Sequence, residues 1–227
     1  TENAKNLEEI KRSFFENTFL LLGYIAKSDG RVSAAEIEHT EQIFVRLGLN
    51  AEQRQAAIKL FQKGAAQGFD PMVSVTEFRN LTQRAVKVTQ TLMTMLCALA
   101  LSDDHLDSGE REALRYVGEL LGLSRANVDI LLRMVEAQAR MEGERASSSH
   151  YSKDISILDD AYAALGVSSS ATSGEVKKAY RKLMSQNHPD KLIAKGVPEH
   201  MIKLATEKTQ SIQTAYETVT RSRKQSG

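Results

Sequence analysis

The chain of 227 residues carries 30 Lys/Arg against 29 Asp/Glu, a net charge of +1, and 41% apolar residues. That supports a packed core in one large or two modest domains, and it is too weakly basic for a nucleic-acid binder. No run reaches the roughly 18 apolar residues that cross a bilayer, no secretory signal is visible, and the single cysteine, Cys97, excludes an intramolecular disulfide and fits a reducing compartment.

With no Trp and only three Pro, a composition rich in Leu and Ala predicts an all-α protein. Apolar residues at helical spacing predict seven helices in the first two-thirds, near 7–28, 34–47, 51–66, 74–86, 88–102, 108–121 and 125–142. Their stripes include Phe14, Leu21 and Ile25, then Ile43 and Leu47, then Leu114, Val117 and Leu121, and last Val128, Leu131, Leu132 and Val135. The run Leu92 to Leu101 reads as a buried helix, with Cys97 inside it as an inert thiol.

This region repeats itself. Ser28-Asp29-Gly30, followed by Ser33 and Glu36, matches Ser102-Asp103-Asp104, followed by Asp107 and Glu110. Leu47-Gly48-Leu49 matches Leu121-Gly122-Leu123 at the same offset of 74 residues. Two coincidences at one offset point to a duplicated helical hairpin. Ser33 with Glu36, Asn50 with Gln53, Ser74 with Glu77 and Asp107 with Glu110 have the form of capping boxes. Gly48 and Gly122 are expected to be left-handed caps.

The acidic turns also raise a cation site, since hard cations take carboxylate oxygens and two related turns could converge on Asp29, Glu36, Asp103 and Glu110. The twelve-residue EF-hand spacing is not met, and capping is the preferred role of these side chains. His39, His105, His150 and His200 have no ligand spacing and are expected at the surface or in loops. Met134 and Met141 lie on an apolar helix. They are expected in the core or at its edge, with a greasy groove for a client or a second copy, a homodimer, as the alternative.

Residues 145–155 are polar and Ser-rich and read as a linker. The halves differ in charge: 1–150 sums to −3 and 151–227 to +4, by counts of 18 Lys/Arg against 21 Asp/Glu and 12 against 8. After the linker come three helical stretches. Leu158, Ala161, Tyr162 and Leu165 stripe the first, and Gly166 closes it. Thr172 and Glu175 cap the second, striped by Val176, Ala179, Tyr180 and Leu183. The third runs from about Pro198 to Arg221, with Met201, Ala205, Ile212, Tyr216 and Val219 on one side. Lys177, Lys178, Arg181 and Lys182 fall off the apolar stripe of the second helix and form a basic face. By charge alone that is an ordinary solvated face.

Between the second and third stretches stands His188-Pro189-Asp190-Lys191. The tripeptide alone reads as a helix stop at Pro189 and a tight loop. Its frame changes that. Leu165-Gly166-Val167, then Lys177-Lys178-Ala179-Tyr180-Arg181-Lys182-Leu183, then His188-Pro189-Asp190-Lys191, then Ala215-Tyr216-Glu217 resemble, in order and spacing, the J-domain over about residues 156–222. The resemblance implies a co-chaperone whose His-Pro-Asp loop and basic helix bind a DnaK-class chaperone and stimulate its ATP hydrolysis. His188 would orient the loop, Pro189 fix it, and Asp190 present a carboxylate to the partner. It implies no enzyme activity and no cofactor. Two positions depart from the pattern: Asn187 stands where many J-domains have an aromatic, and Thr209 where a Phe is common. A looser core is expected there.

The front region resembles the TerB-like helical family. A helical front domain over 1–144, a linker over 145–155, a J-domain over 156–227 and the loop Leu192 to Ile202 together resemble the DjlA family of membrane-anchored DnaJ-like proteins. That implies a transmembrane segment preceding these domains, on the cytoplasmic side of the bacterial inner membrane. The chain starts at Thr1 without Met, so a soluble piece of a longer protein is expected. No Gly/Phe-rich segment and no four-Cys zinc repeats follow, so holding clients in the DnaJ manner is not expected. The front domain is expected to localise the protein or select clients or membrane-signalling proteins. The alternative is an adaptor whose front domain binds one partner or a metal ion. Deleting 1–145 would separate the two. A hydrolase reading finds no phosphate loop, nucleophile elbow or metal-ligand pair.

Overall fold

A computed structural model describes residues 2–29, 34–83, 85–101, 106–146 and 154–225. It does not describe the side chains of 2–4, 29, 34–39, 142–146 and 154–156. Among these residues all regular structure is helical. The helices are α1 (Glu2–Ala26), followed by a 3-10 turn (Lys27–Asp29), α2 (Ala34–Arg46), α3 (Ala51–Gly64), α4 (Pro71–Leu81), α5 (Val86–Ala100), α6 (Ser108–Leu120), α7 (Arg125–Ala146), α8 (Asp154–Ala164), α9 (Ser173–Gln186), α10 (Pro189–Ile193) and α11 (Glu199–Gln225).

Local chemistry sets most boundaries. Asn50 with Gln53, Asp107 with Glu110 and Thr172 with Glu175 form complete capping boxes, each worth about 1 kcal/mol. The box expected at Ser74 and Glu77 does not form. α4 starts earlier, with Asp70 accepting the Met72 N–H at 2.9 Å and Pro71 at the first helical position. Proline's fixed φ prearranges that start, and the Ser74 hydroxyl instead donates to the Pro71 carbonyl. Ser33 and the side chain of Glu36 lie outside the described residues. The repeated glycines act as expected: Gly48 and Gly122 take φ of 68° and 87°. After each, Leu49 and Leu123 donate back to Phe44 and Gly118, the double-bonded close of a left-handed cap.

α1 is the centre of the front half and packs against α3, α4, α5 and α6. Phe14, Phe19, Leu21 and Ile25 are buried on it, and Phe14 and Phe19 meet Phe78 and Phe44 edge-on. α5 is apolar nearly all round and is buried accordingly. Cys97 lies fully inside it, and burial pushes its thiol up to about 12, so it is inert.

A second cluster of buried side chains joins Ala161, Tyr162, Leu165, Val176, Ile212, Ala215 and Val219. Tyr180 and Tyr216 stack over it with centroids 4.2 Å apart. Arg223 locks the end of α11 to this unit: its guanidinium donates to the Tyr162 hydroxyl, the Ser173 hydroxyl and the Ala171 carbonyl.

The two clusters share helices. α7 gives Val128, Leu131, Leu132 and Val135 to the first and Ala137 and Met141 to the second. α11, about 40 Å long at 1.5 Å per residue, gives Met201, Leu204 and Ala205 to the first and Ile212, Ala215 and Val219 to the second. Met141 is thus core, and half-buried Met134 places its sulfur against Gly166.

Candidate functional site

The turn between α9 and α11 is built from a helix end and a helix start. Asn187 ends α9, its side-chain amide donating to the Leu183 carbonyl at 2.9 Å. In place of an aromatic, this position therefore carries a polar cap. Thr209, the other departure from the pattern, donates its hydroxyl to the Thr206 carbonyl.

Pro189 does not merely stop a helix. It opens the short α10 at its first position, with His188 as N-cap. The His188 Nδ1 accepts the backbone N–H of Asp190 at 3.2 Å. This bond needs the neutral ring with its proton on Nε2, so the cap fixes tautomer and ring orientation together. The Asp190 carboxylate stands 3.8 Å from that nitrogen and is 86% exposed. It has no other polar partner among the described residues and projects into solvent. Lys191 turns back and its ammonium bonds the Ser185 hydroxyl. Leu192 is buried beneath the turn in the first core, so the turn stands on a rigid base.

Next to it lies the basic face. Val176 faces the second core, while Lys177, Lys178, Arg181 and Lys182 are exposed. None of the four has a carboxylate within 4 Å among the described residues. Four unneutralised cations on one helix beside one projecting carboxylate make a surface that attracts an acidic partner and also offers it an anion of its own. The Thr172 backbone and hydroxyl donors hold Glu175 below its usual carboxylate range, which anchors the start of this helix.

Of the proposed cation ligands, only the Glu110 side chain is among those described. Glu110 accepts the Asp107 N–H at 3.0 Å in its capping box. Asp103 and the side chains of Asp29 and Glu36 lie outside those residues. No group of three or more His, Cys, Asp or Glu placed to hold a metal is found among the residues described.

One feature escaped the sequence reading. His200, expected at the surface or in a loop, stands in the first turn of α11 and is largely buried, with its ring edge-on to Phe15, centroids 5.1 Å apart. Burial lowers its pKa to about 4, which keeps the ring neutral. The signal for it lay in the loop: Gly196, Val197 and Pro198 just before it are all buried.

Comparison with known proteins gives two family models in tandem. The tellurite resistance protein TerB family matches residues 16–132, and the DnaJ domain matches residues 160–226. The co-chaperone protein DjlA of Shewanella oneidensis is 38% identical over 216 residues, covering 95% of this chain and 79% of that protein. The chain belongs to the DjlA co-chaperone family. The DjlA of Salmonella typhimurium is 35% identical over 94% of this chain and 81% of its own length. That of Aliivibrio fischeri is 34% identical over 91% and 77%. No solved structure matches. Within the DjlA family this chain is a co-chaperone with a TerB-type front domain and a C-terminal J-domain. Such proteins are generally not enzymes. No helix among the described residues is long and apolar enough to cross a membrane.

Proposed function

We propose that the protein activates a DnaK-class chaperone through the turn His188-Pro189-Asp190 and the adjoining face of Lys177, Lys178, Arg181, Lys182 and Lys191, without catalysing a reaction itself. The observation that carries this reading is the pairing of an exposed Asp190 carboxylate, on a turn held by its own histidine, with an unneutralised basic helix beside it. The basic face steers the encounter. The carboxylate then engages a cationic group of the partner, and preference for one partner conformer shifts its equilibrium towards ATP hydrolysis. The chemistry belongs to the partner, so no cofactor is needed here.

The front domain selects where this happens or on which client. The tether implied by the family resemblance would set the activity on the cytoplasmic side of the bacterial inner membrane. The deciding experiment is steady-state ATPase of a DnaK-class chaperone with and without this protein. Stimulation is expected, and His188→Gln or Asp190→Asn should return the rate to its unstimulated value with unchanged circular dichroism, and for Asp190→Asn with unchanged melting. Full stimulation by either variant would sink the proposal.

A further inference from the structure

Between α5, α7, α9 and α11, where the front domain meets the J-domain, lies a cavity of about 440 Å³. That is the size of a small-molecule site. Four lysines line it: Lys87 from α5, Lys182 from α9, Lys195 from the loop before α11, and Lys208 from α11. No aspartate or glutamate lines it. The remaining polar lining is amide and hydroxyl, including Gln138 and Asn127.

Two of the lysines, Lys208 and Lys195, are held there by the fold, while Lys87 and Lys182 are exposed. Lys208 is only 8% exposed, with its Nζ directed to the Thr94 carbonyl at 3.4 Å. Lys195 is partly buried on a loop whose neighbours Gly196 and Val197 are buried. Its ammonium is held below its ordinary range by burial first, then by Lys87 and Lys191. Neither Lys87 nor Lys195 has a carboxylate within 4 Å among the described residues. Like charges converging on one concave space repel one another and focus a positive potential into it. An anion inside would reverse that balance, and amide donors would complete its hydrogen bonds.

We infer that this cavity binds a small phosphate-bearing anion whose oxygens span from Lys87 to Lys195 and so join the front domain to the J-domain. This goes beyond the chaperone reading: Lys182 belongs to both surfaces, but Lys87 and Lys195, which the inference rests on, lie outside the face assigned to the DnaK-class partner, so the two readings can fail separately.

Inorganic pyrophosphate is the probe, titrated calorimetrically into the full chain at fixed ionic strength. Saturable one-to-one binding is expected. The pair Lys87→Gln and Lys195→Gln should weaken it by about ten-fold or more, as expected for losing two charge-assisted contacts. The charge-matched pair Lys59→Gln and Lys63→Gln, exposed on α3 away from the cavity, should bind as the parent does. The ligand-free Lys87/Lys195 variant should melt no lower than the parent, because it has lost repulsion. Absence of saturable binding, equal weakening by the α3 pair, or a lowered ligand-free melting point would each overturn the inference. So would a Glu-rich peptide binding at this cavity where pyrophosphate does not.

Discussion

Arg140 on α7 grips Asp160 on α8 with two nitrogens. Nε lies 3.0 and 3.1 Å from the two carboxylate oxygens and a terminal nitrogen lies 2.6 Å from one of them. The aspartate side chain is only 11% exposed and the arginine 54%, so the pair is asymmetric. Removing the arginine strands a nearly buried carboxylate, whereas removing the aspartate leaves a half-exposed arginine that water can solvate. Arg140→Ala should therefore cost about 2–3 kcal/mol in urea unfolding and Asp160→Ala less, and the double variant should cost less than the sum. Additive losses would mean that the pair is not coupled.

The basic face should act mainly on the rate of encounter. Lys178→Glu with Arg181→Glu reverses two exposed charges without touching the second core, since Val176, Ile212 and Ala215 carry the packing. Association with a DnaK-class chaperone, followed by biolayer interferometry, should slow by about ten-fold or more at low salt. The difference from the parent should shrink as salt rises towards 1 M, where the Debye length falls to about 3 Å. A deficit independent of salt would point to lost contacts and against steering.

His200 gives the interface between α1 and α11 a pH dependence of known sign. Its folded pKa of about 4 lies below the ordinary 6.5 of the unfolded chain. Between these values the unfolded state binds the extra proton. The stabilisation is fully present above about pH 6.5 and is lost as pH falls towards 4, by at most about 3 kcal/mol. Its Nε2 is buried without a hydrogen-bond partner among the described residues, so an apolar ring should fit in its place. His200→Phe should flatten the dependence of melting temperature on pH in this window relative to the parent. Parallel curves for the two proteins would remove His200 as the cause.

Helix periodicity and caps were legible because they are local. Asn50, Asp107 and Thr172 announce helix starts with their own side chains, and Gly48 and Gly122 announce ends. The missed start at Asp70-Pro71 was also local, but Ser74 with Glu77 offered a competing box three residues on. The turn His188-Pro189-Asp190 was legible through its flanking sequence, although its existence as a separate short helix was not. What no local pattern carried is the sharing of α7 and α11 between two cores. Ala137, Met141 and Arg140 precede the Ser-rich segment yet serve the second unit. A deletion of 1–145 would therefore strip the J-domain of packing and strand Asp160, and point variants are the cleaner way to separate targeting from activation.

Gly23 on α1 and Gly64 on α3 show the same limit at atomic scale. Each lies within a helix, where a glycine ordinarily weakens the structure and alanine would be preferred by about 1 kcal/mol. Here the backbones touch. A Cβ on Gly23 would stand 2.1 Å from the Phe61 carbonyl oxygen, and one on Gly64 would stand 1.9 Å from that of Leu20. Backbone cannot yield as a side-chain tip can, so the two helices would have to separate and loosen Phe61 and Leu21 in the first core. Gly23→Ala and Gly64→Ala should each destabilise by about 1–3 kcal/mol net of the propensity gain. Gly174→Ala, whose nearest neighbour is 3.9 Å away within the first turn of α9, should be neutral or stabilising. Urea unfolding of the three variants tests this, and a stabilised Gly23→Ala would show that the close approach of α1 and α3 is not a constraint.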